Sequence, residues 1–459
     1  MALVNGRVSF WWHQLGMPAR RPALPGSTRA DVCIVGAGYT GLWTAYYLKR
    51  AAPHLRVVVL EQRFAGYGAS GRNGGWVTND ITGGRPRYER EYGRDDAGRL
   101  QQAMNDTVDE VARVAADEHL DLDLVKGGEL MVATNAAQQR RLEASARSEQ
   151  QWPMTDVELL TAAQTRARIA IAGATGATRH PHCARIQPAK LARGLATLVE
   201  NLGVEIYEGT RVSEIRPHRA VTEHGDVEAD TVVRATEGFT AGLRGLHRAW
   251  VPLNSSMIVT EPLGAEAWER IGWEGRETLG DVAHAYIYAQ RTADDRIAIG
   301  GRGVPYRYAS RTDVDGETPA STIQALRSVL ARLLPPTSGV AIDHAWSGVL
   351  GVPRDWTATV GLDRATGLAW AGGYVGTGVS ATNLAGRTLT DLILERDTEL
   401  TRLPWVGRAV RNWEIEPLRF FAVHALYRMY GIADAMEARG GTRTSPLAQV
   451  ADLVSGRNH

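Results

Sequence analysis

The sequence predicts an α/β fold in which a parallel, doubly wound sheet is interleaved with a second, mixed and mostly antiparallel sheet. Three observations carry this reading. A short apolar strand, a glycine-rich turn, a helix and a second apolar strand follow one another over residues 30–61. Two more glycine clusters stand at 66–75 and 372–378, the latter again between a strand and a helix. The long stretches between the clusters alternate helical periodicity with short apolar runs widely separated in sequence, which suits non-local strand pairing. At 459 residues the chain exceeds one ordinary core, so two or three domains are expected.

Composition narrows the class. The chain is 44% hydrophobic and 22% charged, with 52 basic against 51 acidic residues, and so offers no basic field for nucleic acid. Cys33 and Cys183 are too few for a disulfide framework or a four-cysteine metal site, and no paired Cys/His spacing suggests a metal centre. No apolar run reaches the 18 residues of a membrane span and the N-terminal stretch lacks a continuous apolar signal core, so a cytoplasmic address is expected.

The first element is the strand Val32–Val35. Gly36, Gly38 and Gly41 then form G-x-G-x-x-G, Leu42 to Arg50 reads as a helix ending near Pro53, and the strand 56–60 closes on Glu61. A lone glycine triplet is weak, but strand, turn, helix and an acid 20 residues on supply the context of a dinucleotide site. Gly36 makes the tight turn, Gly38 admits a pyrophosphate, and Gly41 lets the helix pack on the strand. The helix N-terminus offers amides and a positive dipole end to phosphates. Glu61 accepts hydrogen bonds from ribose hydroxyls and disfavours a 2′-phosphate.

The second cluster, "GYGASGRNGGWV" (66–77), follows almost at once, where a nicotinamide enzyme would continue with helix and strand. Bare backbone here suits a long cofactor lying against the main chain, with Ser70, Arg72 and Asn73 as polar contacts. At this point the chain resembles the D-amino-acid oxidase superfamily of FAD enzymes, in its glycine oxidase, sarcosine oxidase and gamma-glutamylputrescine oxidoreductase branch; "GASGRNGG" (68–75) is similar to that branch's second FAD loop. The resemblance touches residues 8–80, 180–240 and 340–395. It implies a Rossmann-like FAD-binding domain of the glutathione-reductase type over 28–85, 183–245 and 351–400, a substrate domain over 86–182 and 246–350, and a helical C-terminal extension over 401–459.

Further along, helices are predicted over 97–119 and 136–150 with a strand pair within 124–133, and "QPAKLARGLA" opens a helix from Pro188 to about Leu202. Strands follow at 204–207 and 211–215; by the resemblance Val212 lies against the adenine. "EADTVVRATEGFT" (228–240) is similar to the family strand that ends beside the cofactor, with Glu237 replacing the usual Asn or Gly. Strands at 249–260, 284–290, 295–300 and 340–349 and a helix at 319–334 make up the substrate domain. The third cluster leads into a helix near Val379, whose amides suit the negative charge of a reduced flavin. In the tail, Phe420, Val423, Leu426, Tyr427 and Tyr430 share a helical face and suit packing or a subunit contact.

The cofactor set expected is therefore Gly36, Gly38, Tyr39, Thr40, Gly41, Glu61, Gln62, Gly68, Ala69, Ser70, Arg72, Asn73, Gly74, Gly75, Val212, Ala235, Thr236, Gly348, Gly373, Gly376, Thr377, Gly378 and Val379. Substrate-pocket candidates are Tyr286 and Tyr288, which alternate to one face of the 284–290 strand, together with Trp346, Leu350, Arg302 and Arg354. Flavin-dependent amine oxidation needs positioning more than a catalytic base, so none is named. The resemblance implies oxidation of a C–N bond of a small-molecule primary or secondary amine, with oxygen or another electron acceptor. An α-amino-acid or sarcosine-type oxidase, and a flavin-binding protein without turnover, remain open. Three family comparisons sharpen this. Relatives with covalent flavin use a His where Arg72 stands, so FAD is expected to be non-covalent. Amino-acid oxidases follow W-x-G-x with an arginine, whereas Leu350 stands there here, as an apolar residue does in the gamma-glutamylputrescine oxidoreductases. Several oxidases place a lysine over the flavin, while this chain has lysine only at 49, 126 and 190, which favours slow reaction with oxygen. An oligomer is possible.

Overall fold

The computed structural model describes residues 3–301, 305–312 and 315–455. The glycine-rich turn begins where the strand Thr28–Val35 ends, in a sheet whose parallel centre runs Leu368–Gly372, Gly225–Arg234, Thr28–Val35, Val57–Leu60 and Glu205–Tyr207. The strands Val212–Arg216 and Arg219–Thr222 extend it antiparallel at one side. Central strands covered on both faces read as continuous apolar runs, and "VVVL" (57–60) is buried throughout. The helices Tyr39–Ala51, Pro188–Asn201 and Gly378–Ile393 share one core with these strands.

The second sheet has nine strands, in the order Val4–Asn5, Ile342–Pro353, Trp250–Thr260, Ile297–Gly301, Tyr288–Arg291, Thr278–Asp281, Glu129–Ala133, Gly176–His180 and Glu158–Thr161. Only its first pair and the Thr278–Asp281/Glu129–Ala133 pair are parallel. Its far face is covered by the helix Ala320–Leu333 through Leu326, Leu330 and Leu333. The mixed, mostly antiparallel substrate sheet interleaved with a Rossmann-like domain is thus the architecture of the chain.

Several predicted elements change in detail. The strand pair within 124–133 is one strand, Glu129–Ala133, preceded by a single bridge from Val125 to Arg185. Gly128 explains the break, since its φ is +86° and a Cβ there would stand 2.5 Å from the His180 carbonyl oxygen. The strand predicted from 284 begins at Tyr288, because Asp434 of the C-terminal helix accepts the amides of His284 and Ala285. The helix Arg94–Asp117 packs Met104, Val108 and Val111 into the core of the dinucleotide domain. In the tail, Val423, Phe420 and Tyr427 of the helix Leu418–Ala438 pack on Val251, Leu253 and Val352. Tyr430 and Leu426 meet Ala448 and Ala451 of a further helix, Pro446–Ser455.

Candidate active site

The first cluster is shaped by close approach. Gly36 has φ +108°, and a Cβ would fall 2.5 Å from the Ala235 carbonyl oxygen. At Gly41 a Cβ would stand 2.0 Å from the Gly36 oxygen and 3.1 Å from Ile34 Cγ2, so only glycine lets the helix lie this near the strand. The helix Tyr39–Ala51 starts at Gly38 with no side-chain cap from that residue, and the Tyr39 amide donates to Ser70 Oγ of the second cluster (2.8 Å). Glu61 accepts from the amides of Ala37 (3.0 Å) and Arg63 (2.9 Å). Burial raises its carboxyl to about 7 against the pull of these amides.

The second cluster divides its labour. Asn73 braces the loop from inside: its amide donates to the carbonyls of Ala69 (3.1 Å) and Ser70 (2.9 Å) and its oxygen accepts from Gly75 (2.7 Å). Arg72 turns away from the cofactor side. Its Nε donates to the Tyr67 carbonyl (2.8 Å), its Nη1 to the Ser347 carbonyl (3.3 Å), and its guanidinium lies over the Tyr67 ring (4.4 Å). Gly74 backs onto the ring of Tyr288, and Gly75 onto the Ile186 carbonyl. Beneath the loop sits the helix Phe10–Leu15, where Trp11 Nε1 donates to the Asn73 carbonyl (2.9 Å) and Trp12 packs so tightly that a Cβ on Gly71 would collide with its ring. The run "FWW" at 10–12 was the signal for this support.

The third cluster is tied to the other segments through side chains, among them Tyr374 and Glu237. Tyr374 Oη pairs with Thr40 Oγ1 at 3.2 Å. Glu237, in the left-handed region with φ +40°, accepts from the amides of Gly373 and Tyr374, both at 3.2 Å. Burial pushes the Glu237 carboxyl up to about 7, with these amides and the Arg234 charge opposing it. Burial also lowers Arg234 to about 10, and its guanidinium lies 4.5 Å over the Trp250 ring.

These walls enclose a cavity of about 580 Å3, within the roughly 300–1,000 Å3 of small-molecule sites. Of the expected cofactor residues, Gly36, Gly38, Tyr39, Thr40, Glu61, Gln62, Gly68, Ala69, Ser70, Asn73, Val212, Ala235, Thr236, Gly376, Gly378 and Val379 line it. Gly41, Arg72, Gly74, Gly75, Gly348, Gly373 and Thr377 stand behind the lining, and the cavity walls also include Tyr67, Phe239, Val349, His247, Tyr374 and Thr382, which the sequence reading did not single out. Phe239 follows the recognised strand end and Tyr67 opens the second cluster, so both lay within reach of a closer reading.

Of the substrate-pocket candidates, Leu350 lies on the cavity wall. Trp346 is buried among Phe10, Trp11 and His344 and donates from Nε1 to the Arg72 carbonyl (2.9 Å). Tyr288 bonds Ser255 Oγ (2.8 Å) and meets Trp76 edge to face. Tyr286 precedes the strand, so the predicted alternation with Tyr288 does not apply. Arg354 pairs with Glu414 (3.0 Å) and covers the Trp413 ring at 5.1 Å. Arg302 lies outside the described residues.

The fold and cavity suit FAD on the structure's own terms. Two helix N-termini, at Gly38 and Thr377, carry no side-chain cap from those residues. A carboxylate ends the second strand, and glycines without side chains make much of the wall between them. This defines a flavin-type dinucleotide oxidoreductase. The chain belongs to the FAD-dependent oxidoreductase family DAO, whose profile matches residues 31–392. It is 32% identical over 426 residues to the gamma-glutamylputrescine oxidoreductase of Escherichia coli K12, covering 89% of this chain and 94% of that protein. It is 24% identical to the glycine oxidase of Geobacillus kaustophilus over 82% of this chain and 96% of that one. Among solved structures, glycine oxidase from that organism superposes with a TM-score of 0.68 at 21% identity over 83% of this chain and 99% of its own. L-Proline dehydrogenase from P. horikoshii gives 0.67 at 17%, over 83% of this chain and 96% of its own.

Proposed function

We propose that the chain binds FAD non-covalently in this cavity and oxidises a C–N bond of a primary or secondary amine lacking an α-carboxylate, to an imine that then hydrolyses. The observation that carries the substrate class is Leu350. It lies on the cavity wall at the position where amino-acid oxidases of the superfamily hold their carboxylate-binding arginine. Leucine offers a carboxylate no donor, and one buried against it without another partner loses several kcal/mol of hydration. Arg354, the neighbouring candidate for that role, is already engaged by Glu414. The E. coli relative, named for an amine substrate and similar over nearly the whole chain, supports the same reading.

Bound FAD supplies the acceptor for the hydride equivalent from the carbon beside nitrogen. The chain supplies the rest. The start of the helix Tyr39–Ala51 and the glycines around it receive the pyrophosphate, while Glu61 accepts from the ribose. The helix Gly378–Ile393 points its N-terminus at the cavity, where its amides stabilise added negative charge. Val349 and Leu350, on the strand Ile342–Pro353, exclude water from the substrate side. Discontinuous cofactor segments over 28–85, 183–245 and 351–400, with substrate segments over 86–182 and 246–350, are the division of the chain that this reading uses.

The three lysines support slow reaction with oxygen. Lys49 donates to the carbonyls of Pro53 and Leu55, Lys190 pairs with Asp121 and Asp123, and Lys126 pairs with Asp109 at the surface. None is among the residues lining the cavity. The test of the function is anaerobic: primary and secondary amines against glycine, sarcosine and D-alanine, followed at the flavin absorbance band. Amines should bleach the band; faster bleaching by the amino acids would establish an amino-acid oxidase, and no bleaching by either class a flavoprotein without this turnover.

A further inference from the structure

The helices Leu418–Ala438 and Pro446–Ser455 lie beyond the segment matched by the family profile, which ends at residue 392. They pack on each other through Tyr430, Ala433, Ala448 and Ala451. The longer helix is also fixed to the substrate domain through Val423 and through the His284–Glu437 pair (3.0 Å). With that inner face satisfied, the outer face of a surface helix pair should be polar. It is not. Leu418, Phe421, Ile432 and Met436 stand out along the first helix, and Val450, Leu453 and Val454 along the second; Leu453 is 84% exposed and Phe421 66%. Isolated exposed apolar residues need no explanation, but a run of them on two adjacent helices marks an interaction surface.

Charge on the pair is sorted by exposure. Its three acids are all engaged: Asp434 accepts the amides of His284 and Ala285, Glu437 pairs with Arg141 and His284, and Asp452 accepts from Tyr430 Oη (2.7 Å). The exposed charges are all arginines, Arg428 on the first helix and Arg439 and Arg443 in the link between the two, with no ion pair among the described residues. A second copy of the chain would bring these arginines against their own kind with no acid between them. An occupant both apolar and anionic fits both halves of the pattern. The apolar side chains protrude instead of lining a groove, and so suit a fluid medium that closes around them.

We propose that this helix pair docks the enzyme peripherally on an anionic phospholipid surface, with the apolar row entering the headgroup boundary and the three arginines meeting lipid phosphates. No helix among the described residues is long and apolar enough to cross a membrane, so the contact is with one leaflet.

The test is co-sedimentation of the full chain, loaded with FAD, with phosphatidylcholine vesicles with or without one-third phosphatidylglycerol. Binding should require the anionic lipid and weaken as salt is raised. Arg428→Gln/Arg439→Gln/Arg443→Gln should lower partitioning on the order of 100-fold, taking roughly fivefold per arginine. Phe421→Ser/Leu453→Ser should abolish it while the flavin spectrum is retained. If that pair loses the flavin, Val450→Ser/Leu453→Ser on the outer helix alone is read instead. Absence of binding to the anionic vesicles, equal binding to neutral ones, or binding unchanged in the arginine variant overturns the proposal. A dimer in light scattering that Phe421→Ser/Leu453→Ser disperses would assign the face to a second copy, and a stable complex with an acidic protein in place of lipid would assign it to that partner.

Discussion

Glu237→Gln should be less stable than the native protein at acid pH and lose that deficit across neutral pH. In the native chain burial holds this carboxyl at about 7, against an ordinary value of 4.5. A raised acid favours the fold fully below its unfolded value and loses that advantage as pH climbs through the folded one. Between pH 5 and pH 8 the native protein should therefore lose about 2–3 kcal/mol that the uncharged variant does not. This is an upper figure, since water in the cavity screens the charge. Against it stands a loss that does not vary with pH. Gly373 and Tyr374 each donate an amide to a different oxygen of Glu237, and glutamine keeps only one acceptor oxygen. Leaving one such amide unmatched costs roughly 1–3 kcal/mol. The variant should be the less stable protein at pH 5, and draw level or overtake by pH 8. The assay is the urea midpoint of both apoproteins, by tryptophan fluorescence, at half-unit steps of pH. Glu61, also raised to about 7, is common to both and cancels in the difference. A gap that stays constant from pH 5 to pH 8 would refute a strained carboxylate, and a gap widening with pH would mean the sign is wrong.

Three other outcomes are expected. Acid precipitation should release all of the yellow FAD into the supernatant, because both cysteines are buried and the covalent histidine position holds Arg72; colour in the washed pellet would count against this. Glu61→Ala should weaken FAD binding roughly 10–100-fold in a fluorescence titration, since it removes an acceptor both from the ribose and from the Ala37 amide; unchanged affinity would move the ribose elsewhere. Stopped-flow reoxidation by oxygen should be slow and the same in Lys126→Met, whose native side chain is paired with Asp109 outside the cavity; fast reoxidation lost in the variant would give that lysine a role it lacks in this geometry.

The first glycine cluster was legible in sequence because its constraints are local. Gly41 is fixed by the Gly36 oxygen and by Ile34 within the same strand and turn, and although Gly36 lies against the distant Ala235 carbonyl, the spacing of the motif alone marks its position. The second cluster was legible as a loop but not in its orientation. Arg72 points inward because Tyr67 and Ser347 offer carbonyls on that side, and Ser347 is 275 residues away. Tyr286 fell outside its predicted strand for a similar reason, as the preceding amides are claimed by Asp434 from the far end of the chain. Leu350 was found through its W-x-G context. The departure at Glu237 was visible too, but its partners are amides of the third cluster, and no spacing rule connects residue 237 to residues 373 and 374.

Those long-range ties decide what kind of cavity this is. Ser70 joins the second cluster to the first helix, Tyr374 joins the third cluster to the same helix, and Glu237 joins the third cluster to the strand beside Gly36. The second and third glycine segments are thus each bound to the first through atoms of the chain itself. Glycine-rich loops would otherwise lose the most conformational entropy on ordering around a ligand. Here much of that ordering is complete on folding, which leaves the helix ends at Gly38 and Thr377 already facing the cavity. Positioning is the chief contribution that flavin-dependent C–N oxidation asks of a protein, and it is set by contacts between the cofactor loops before substrate arrives.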